Sequence, residues 1–580
     1  MRKLMAILLA ALLVAPATAL AATSIEELQK KIEELTDEVD YLSGRVDKTE
    51  KHTALDRIEF SGDMRAKADT LHYSDVAWNP GVAVDMAQFG ADAMGGVFGD
   101  PTDPTSLLGS FMGENPNLAA AFMAGQLPPV GYLSMLGYDL GVKPPKGDLD
   151  NDVLYTTRLR LNMKAKVYDN VNFAGRLAMY KNWGDSTGVK VFDSWDSFTM
   201  DGTNGGNTTG DWLRVERAYF DWSHIGGSNF YLSIGRRPST YGPPSQYREN
   251  ELRGGTPSGH LVHFNFDGIT IGYNLSELTG IEGQTIRFCY GQGFESQYGN
   301  GELFTRNDFA TDDTHLGGIN FDILNDGTNF LQLTAFAALD VVDGFKGTFA
   351  FPAQMVELFA PTINQDASQF PNMNFMVRYQ PSTVIGDMFL GGLGYAREEM
   401  NDVKYFASLG WTRLESNGDA GMFGGMGSDN LYVAAPVDTD GDGTSDSIMP
   451  MPTNKVVDDS ARDGYGVYAG VQVPAPLGKF GLEYNYGSKY WSPFTQAQDD
   501  IIGSKLATRG HAGEAYYIFD INPNMFIKVG GIYYDYEYTG SGSPVGKPQK
   551  VDDVLNGTAF SMLPVVDKAW DGYASLTVKF

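Results

Sequence analysis

Residues 158–167 read RLRLNMKAKV. In an extended chain, Leu159, Leu161, Met163, Ala165 and Val167 share one side, and Arg158, Arg160, Asn162, Lys164 and Lys166 share the other, because successive side chains of a strand point to opposite faces. An apolar side backed by a strongly basic one describes a strand with hydrocarbon outside and water inside. A sandwich strand alternates too, so length decides. The stretch runs towards the roughly nine to eleven residues that a tilted membrane strand needs, past the usual five or six or so.

The same two-residue period governs IEFSGDMRAKA (58–68), with Ile58, Phe60, Gly62, Met64 and Ala66 opposite Glu59, Ser61, Asp63, Arg65 and Lys67. It also governs the ending, SLTVKF (575–580), where Ala574, Leu576, Val578 and Phe580 share a side. In an open sheet that strand would be a sticky edge; in a closed barrel it pairs with the first strand.

Tight turns are expected at Tyr168-Asp169-Asn170, at Asp267-Gly268 between HFNF and ITIGY, at Asn325–Thr328, at Pro476-Leu477-Gly478 and at Asn522-Pro523-Asn524. Long segments separate them, at about 73–151, 184–210, 238–258, 342–371, 415–462, 492–508 and 541–568. Short turns alternating with long loops suggest an outer-membrane barrel, turns in the periplasm and loops outside. The expectation is therefore an all-β, transmembrane antiparallel barrel of about 16–18 strands over 56–580. The up-and-down order clashes with a short periplasmic connection near Glu398–Asp402, so a strand between 277 and 415 is missed or invented.

The beginning of the chain is different. Arg2 and Lys3, the apolar run Leu4–Ala15 and the small residues Ala19 and Ala21 make residues 1–21 a secretory signal peptide. In 25–46, Ile25, Leu28, Ile32, Leu35, Val39, Leu42 and Val46 alternate steps of three and four, a heptad seam. Residues 22–55 are read as a periplasmic coiled-coil segment that drives homo-oligomerisation; a helix lying on a domain surface is the alternative.

Composition narrows the function. A net charge of −29 argues against nucleic acid as a partner. With Cys289 as the only cysteine there is no disulfide framework and no thiolate cluster. No Walker loop or HExxH motif is present. His260 and His263 fall in an expected strand, where residues three apart face opposite sides and cannot share a metal. The chain is not expected to be an enzyme.

The layout of signal peptide, short coil, barrel and terminal Phe580 resembles the Gram-negative outer-membrane porins. The stretches DRIEFSGDMRAKAD (56–69), LRVERAYFDW (213–222) and YLSIGRRPSTYGPPS (231–245) look most like putative porins of metal-reducing deltaproteobacteria. The resemblance implies a water-filled outer-membrane channel for passive diffusion of small hydrophilic solutes or ions, assembled as a trimer. A barrel plugged by its own loops and anchoring surface partners is the alternative.

Chemistry is expected in two places. Arg158, Arg160, Lys164, Lys166, Arg176, Arg236 and Arg237 are the candidate pore lining. Basic rings select anions; a generally polar lumen in which these groups pair with Glu59, Asp63, Glu216 and Asp221 is the alternative, and the acidic balance of the chain would concentrate cations at the mouth. In DTDGDGTSD (438–446), Asp438, Asp440, Asp442, Thr444 and Asp446 occupy ligand positions of a calcium loop, with Gly443 at the bend. The twelfth position is Met449 instead of an acid, so a structural Ca²⁺ and an acidic turn both stay open; no other cofactor is implied. The apolar insertion 81–140 is expected to fold inward or against another subunit, with a docked partner as the alternative, and 353–363 is expected to form a short loop helix.

Overall fold

The computed structural model describes residues 30–31, 35–42, 58–77, 146–184, 210–296, 311–344, 347–350, 375–378, 381, 383–399, 402–421, 424–428, 432–437, 447–452, 458–496, 498–556, 559, 561 and 565–580. The signal peptide, the 81–140 insertion, the 353–363 stretch and the DTDGDGTSD loop lie outside them. The chain divides into two units, Met1–Glu59 and Phe60–Phe580. In the first, residues 30–31 and 35–42 are helical, and the seam residues Leu35, Val39 and Leu42 are exposed.

The second unit is a closed antiparallel barrel of 16 strands in sequence order. They are β1 (Ile58–Ala77), β2 (Lys146–Tyr168), β3 (Val171–Asn182), β4 (Gly210–Trp222), β5 (Phe230–Arg236), β6 (Asp267–Asn274), β7 (Thr285–Phe294) and β8 (Thr314–Asn325). There follow β9 (Asn329–Val342), β10 (Val384–Arg397), β11 (Lys404–Ser416), β12 (Arg462–Ala475), β13 (Gly478–Gly487), β14 (Gly510–Asn522), β15 (Met525–Tyr536) and β16 (Lys568–Lys579). β16 returns to β1 with Asp63 opposite Lys579 and Ser74 opposite Lys568. The Gly62 N–H donates to the Phe580 carbonyl (2.8 Å), and the Phe580 N–H donates back (2.9 Å). No free edge is left at this seam.

The alternation decides which face is which. Ile271, Phe288, Leu333, Leu393, Leu409, Leu482, Val529 and Leu576 are exposed on the outer wall. Aromatic residues sit towards both rims of that wall: Tyr168, Trp222, Phe230 and Phe519 near the short turns, and Trp183, Trp212, Tyr465 and Trp570 near the long connections. An apolar band between aromatic girdles is the outer surface of a membrane barrel. No helix among the described residues is long and apolar enough to cross a membrane.

Two expectations are corrected. Asp267-Gly268 is not a hairpin turn; both residues lie inside β6, Asp267 opposite Arg236 of β5 and Gln292 of β7. HFNF (263–266) is not a barrel strand and lies buried in the interior. Removing this surplus strand puts the 398–403 connection at the short-turn end, so the miscount lay before 277 rather than after it. Secondly, 238–258 and 492–508 are not loops reaching away from the barrel. Residues 237–266 and 488–509 fold into the lumen and bond to inward side chains of distant strands: Gln246 to Glu398 beyond β10 (2.6 Å), His260 to Ser408 of β11 (3.0 Å), Gln472 of β12 to the Tyr247 carbonyl (2.9 Å). Local turn chemistry favoured the hairpin; the polar interior offered the infolded segment more partners.

Candidate functional site: the barrel interior

The wall supplies charge on one side of the lumen. Asp63, Arg65, Lys67 and Asp69 project inward from β1, Arg158 and Arg160 from β2, Glu483 from β13, Glu514 from β14 and Lys528 from β15. The infolded segments complete them with Arg248, Glu249 and Glu251 from 237–266, and Asp499, Asp500 and Lys505 from 488–509.

Two knots result. In the first, Arg158 reaches Glu249 (2.9 Å), Asp63 (3.3 Å), Asp499 (3.3 Å) and Glu251 (3.7 Å); Arg160 holds Asp63 (2.7 Å) and also Glu251, and Arg65 holds Asp499 (2.8 Å). In the second, Glu514 forms an ion pair with Arg248 (3.0 Å), accepts from Lys528 (3.1 Å), and pairs with Lys505, which also meets Glu483. Arg248 further pairs with Asp500 (2.8 Å). Burial raises the pKa of Glu249, but the Arg158 charge outweighs it and holds the carboxyl below the usual range. Asp499 is held down in the same way, by Arg65 and Arg158 against burial. Buried pairs of this kind cost desolvation and return specificity of position more than stability. Here they set where both infolded segments lie.

The other side of the lumen is dry. Leu261, Val262, Phe264 and Phe266 of the first segment pack with Trp491 and Phe494 of the second, and with Leu316, Phe336, Met388, Leu390 and Leu414 of the wall. Trp491 is fully buried and donates its indole N–H to the Leu506 carbonyl (2.8 Å). The wall makes room for it with inward glycines: a Cβ at Gly410 would lie 2.3 Å from the Trp491 ring, and one at Gly466 2.6 Å. His260 and His263 lie in this region instead of in a strand. The Tyr241 N–H donates to His263 Nδ1 (3.3 Å). Burial pushes the imidazole of His260 down to about 3 and that of His263 to about 4, the latter against the pull of Glu216 and Asp499. No cluster of metal-binding side chains occurs among the described residues.

The candidate lining residues divide accordingly. Arg158 and Arg160 are buried in the first knot. Lys164 and Lys166 are exposed on the inner face of β2 towards the short-turn end, Lys166 pairing with Asp169 (3.0 Å). Arg176 bonds Asn162 (2.7 Å) and Glu216 (3.1 Å), and Arg237 faces inward towards Asp221 (3.6 Å) and Thr270 (3.2 Å). Arg236 is a correction. It carries the outward parity of Phe230, Leu232 and Ile234 and pairs with Asp267 (2.8 Å) at the strand end, since adjacent strand residues cannot both face the lumen. The sequence reading missed Arg65, Lys67, Arg248, Lys505 and Lys528; the phase of 58–68 already put Arg65 and Lys67 on the polar side. A small pocket of about 20 Å³ lies among Arg65, Lys67, Arg158, Arg248, Lys528, Glu249 and Asp499.

An apolar outer wall closed around a charged interior defines a membrane-spanning β-barrel of the outer-membrane type. Residues 148–580 match the family described as "Protein of unknown function (DUF3373)", and the chain belongs to that family. A comparison with curated proteins finds no match. Among solved structures, the chain is similar to OprB of Pseudomonas putida in a high-pH structure (8% identity, 92% of this chain and 96% of that one, TM-score 0.38). It is also similar to the trimer form of OmpT, an outer membrane protein of Vibrio cholerae (10%, 90% and 99%, 0.36), and to OmpF of Salmonella typhi in complex with daunomycin (9%, 90% and 97%, 0.35).

Proposed function

We propose that this barrel is a porin: a diffusion channel for small hydrophilic solutes, narrowed by its two infolded segments and favouring anions. The observation that carries the reading is the inner face of β2, where Lys166, Lys164, Arg160 and Arg158 follow one another from the short-turn end into the lumen. Lys164 and Lys166 are exposed there, ahead of the buried and paired Arg160 and Arg158, and selective pores are lined by such basic groups. The exposed seam of Leu35, Val39 and Leu42 supports oligomerisation through 25–46, with a trimer as the assembly we favour.

Purified protein in a planar bilayer tests this. Stepwise openings in KCl with a reversal potential favouring chloride are expected. Neutralising Lys164 and Lys166 together should shift that potential towards zero. A bilayer that stays silent would support the rival scaffold reading, which the side chains packed across the lumen favour.

A further inference from the structure

We infer that the solutes this channel selects are small organic carboxylates, and that Glu249, Glu251 and Asp499 occupy the carboxylate-binding cradle in the state seen here. The inference rests on the channel reading above. Arg65, Arg158 and Arg160 stand on β1 and β2, so the sheet fixes their positions. Of the carboxylates paired with them among the described residues, Asp63 alone comes from a strand. Glu249 and Glu251 arrive on the 237–266 segment and Asp499 on 488–509. Arg158 and Arg160 thus share one wall acid, Arg65 pairs with none from the wall among the described residues, and the remaining countercharge is brought in by segments that are not part of the sheet.

A guanidinium presents a planar fork that matches a carboxylate. The internal acids fill these forks incompletely. Arg65 Nε, Arg158 Nε and Arg160 Nη1 are buried without a hydrogen-bond acceptor, a costly arrangement for donors out of water. The adjoining pocket of about 20 Å³ is lined by Arg65, Arg158, Lys67, Ser575 and Thr577, beside the internal acids Glu249 and Asp499. That space suits a water rather than a solute, so a ligand enters only as the internal acids give way. The sequence Lys166, Lys164, Arg160, Arg158 along β2 delivers an anion to this cradle from the short-turn end. The chain's own carboxylates therefore act as tethered competitors of the ligand.

Calorimetric titration of the detergent-solubilised full-length protein tests the inference, with succinate, inorganic phosphate and chloride as probes. Glu249→Gln/Glu251→Gln should bind succinate at least about tenfold more tightly than the parent, because removing an internal competitor raises the fraction of competent sites. Phosphate and chloride should gain less than about threefold. Equal succinate affinity in parent and variant overturns the proposal, as does a larger gain for phosphate than for succinate. If the double variant fails to fold, Asp499→Asn carries the same comparison with the same expected order of probes. Protein that conducts KCl but shows no succinate gain keeps the channel and loses the cradle. Protein that is silent in KCl yet shows the gain keeps the cradle and loses the channel.

Discussion

The two halves of the 237–266 segment are held in opposite ways. Around residues 246–251 it is fastened by ion pairs: Arg248 to Asp500 and Glu514, Glu249 to Arg158, Glu251 to Arg160. Around 260–266 it is fastened by apolar contact with Trp491, Phe494 and the wall of β8–β11. Intuition assigns the charged half to conditions and the dry half to permanence. For acidity the buried imidazoles reverse that assignment.

The largest effect is expected at the hub of the charged half. Arg158→Met removes the common partner of Asp63, Glu249, Glu251 and Asp499 and leaves buried acids undercompensated. Thermal unfolding in detergent should register a loss of about 3–5 kcal/mol. Limited proteolysis should then cut near 249–251, with 260–266 still protected. Simultaneous cleavage at both places would mean that the halves are one cooperative unit.

A smaller loss is expected in the dry half. Gly410→Val pushes a branched side chain into the Trp491 ring, which already stands 2.3 Å from an ideal Cβ. Overpacking of this kind costs about 1–3 kcal/mol. Indole fluorescence should shift to longer wavelength as Trp491 is displaced, and bilayer conductance should rise; unchanged fluorescence would refute the seating described here.

The smallest effect separates the halves by pH. His260 and His263 titrate at about 3 and about 4 when folded, against about 6.5 when free. The native state then binds fewer protons than the unfolded one, so their contribution to stability falls as pH drops below about 6.5, by about 1 kcal/mol per imidazole near pH 5.5. Glu249 and Asp499 are shifted below the carboxylate range, so their contribution is intact above roughly pH 4 and is lost only as pH falls through the folded values. Between pH 6.5 and 5, hydrogen exchange should therefore quicken at 260–266 before it does at 246–251. His260→Phe should flatten that response; the opposite order of exchange would contradict it.

The barrel was legible because each strand carries its own readout, apolar outside and polar inside, independent of every other strand. RLRLNMKAKV and SLTVKF needed no knowledge of neighbours. The infolded segments were not legible, since a polar connection does not declare whether it turns towards solvent or towards a polar lumen. Asp267-Gly268 misled for the same reason: the dipeptide is a good turn in isolation, yet β5 and β7 take it into the sheet. Two signals were available and unread. Gly410 and Gly466 sit at inward positions of long strands, where a missing side chain implies close approach. Arg236 and Arg237, consecutive at the end of β5, could not both face the lumen, because successive extended residues point to opposite sides.

The seam between β1 and β16 has a consequence for biogenesis. Asn250 receives a hydrogen bond from Lys579 on the closing strand (2.8 Å to its carbonyl), while Arg65 on the opening strand grips Asp499. The stitches that shut the cylinder and the contents it encloses therefore share residues. Closing the cylinder and seating its interior are thus coupled, so a defect in one is expected to weaken the other.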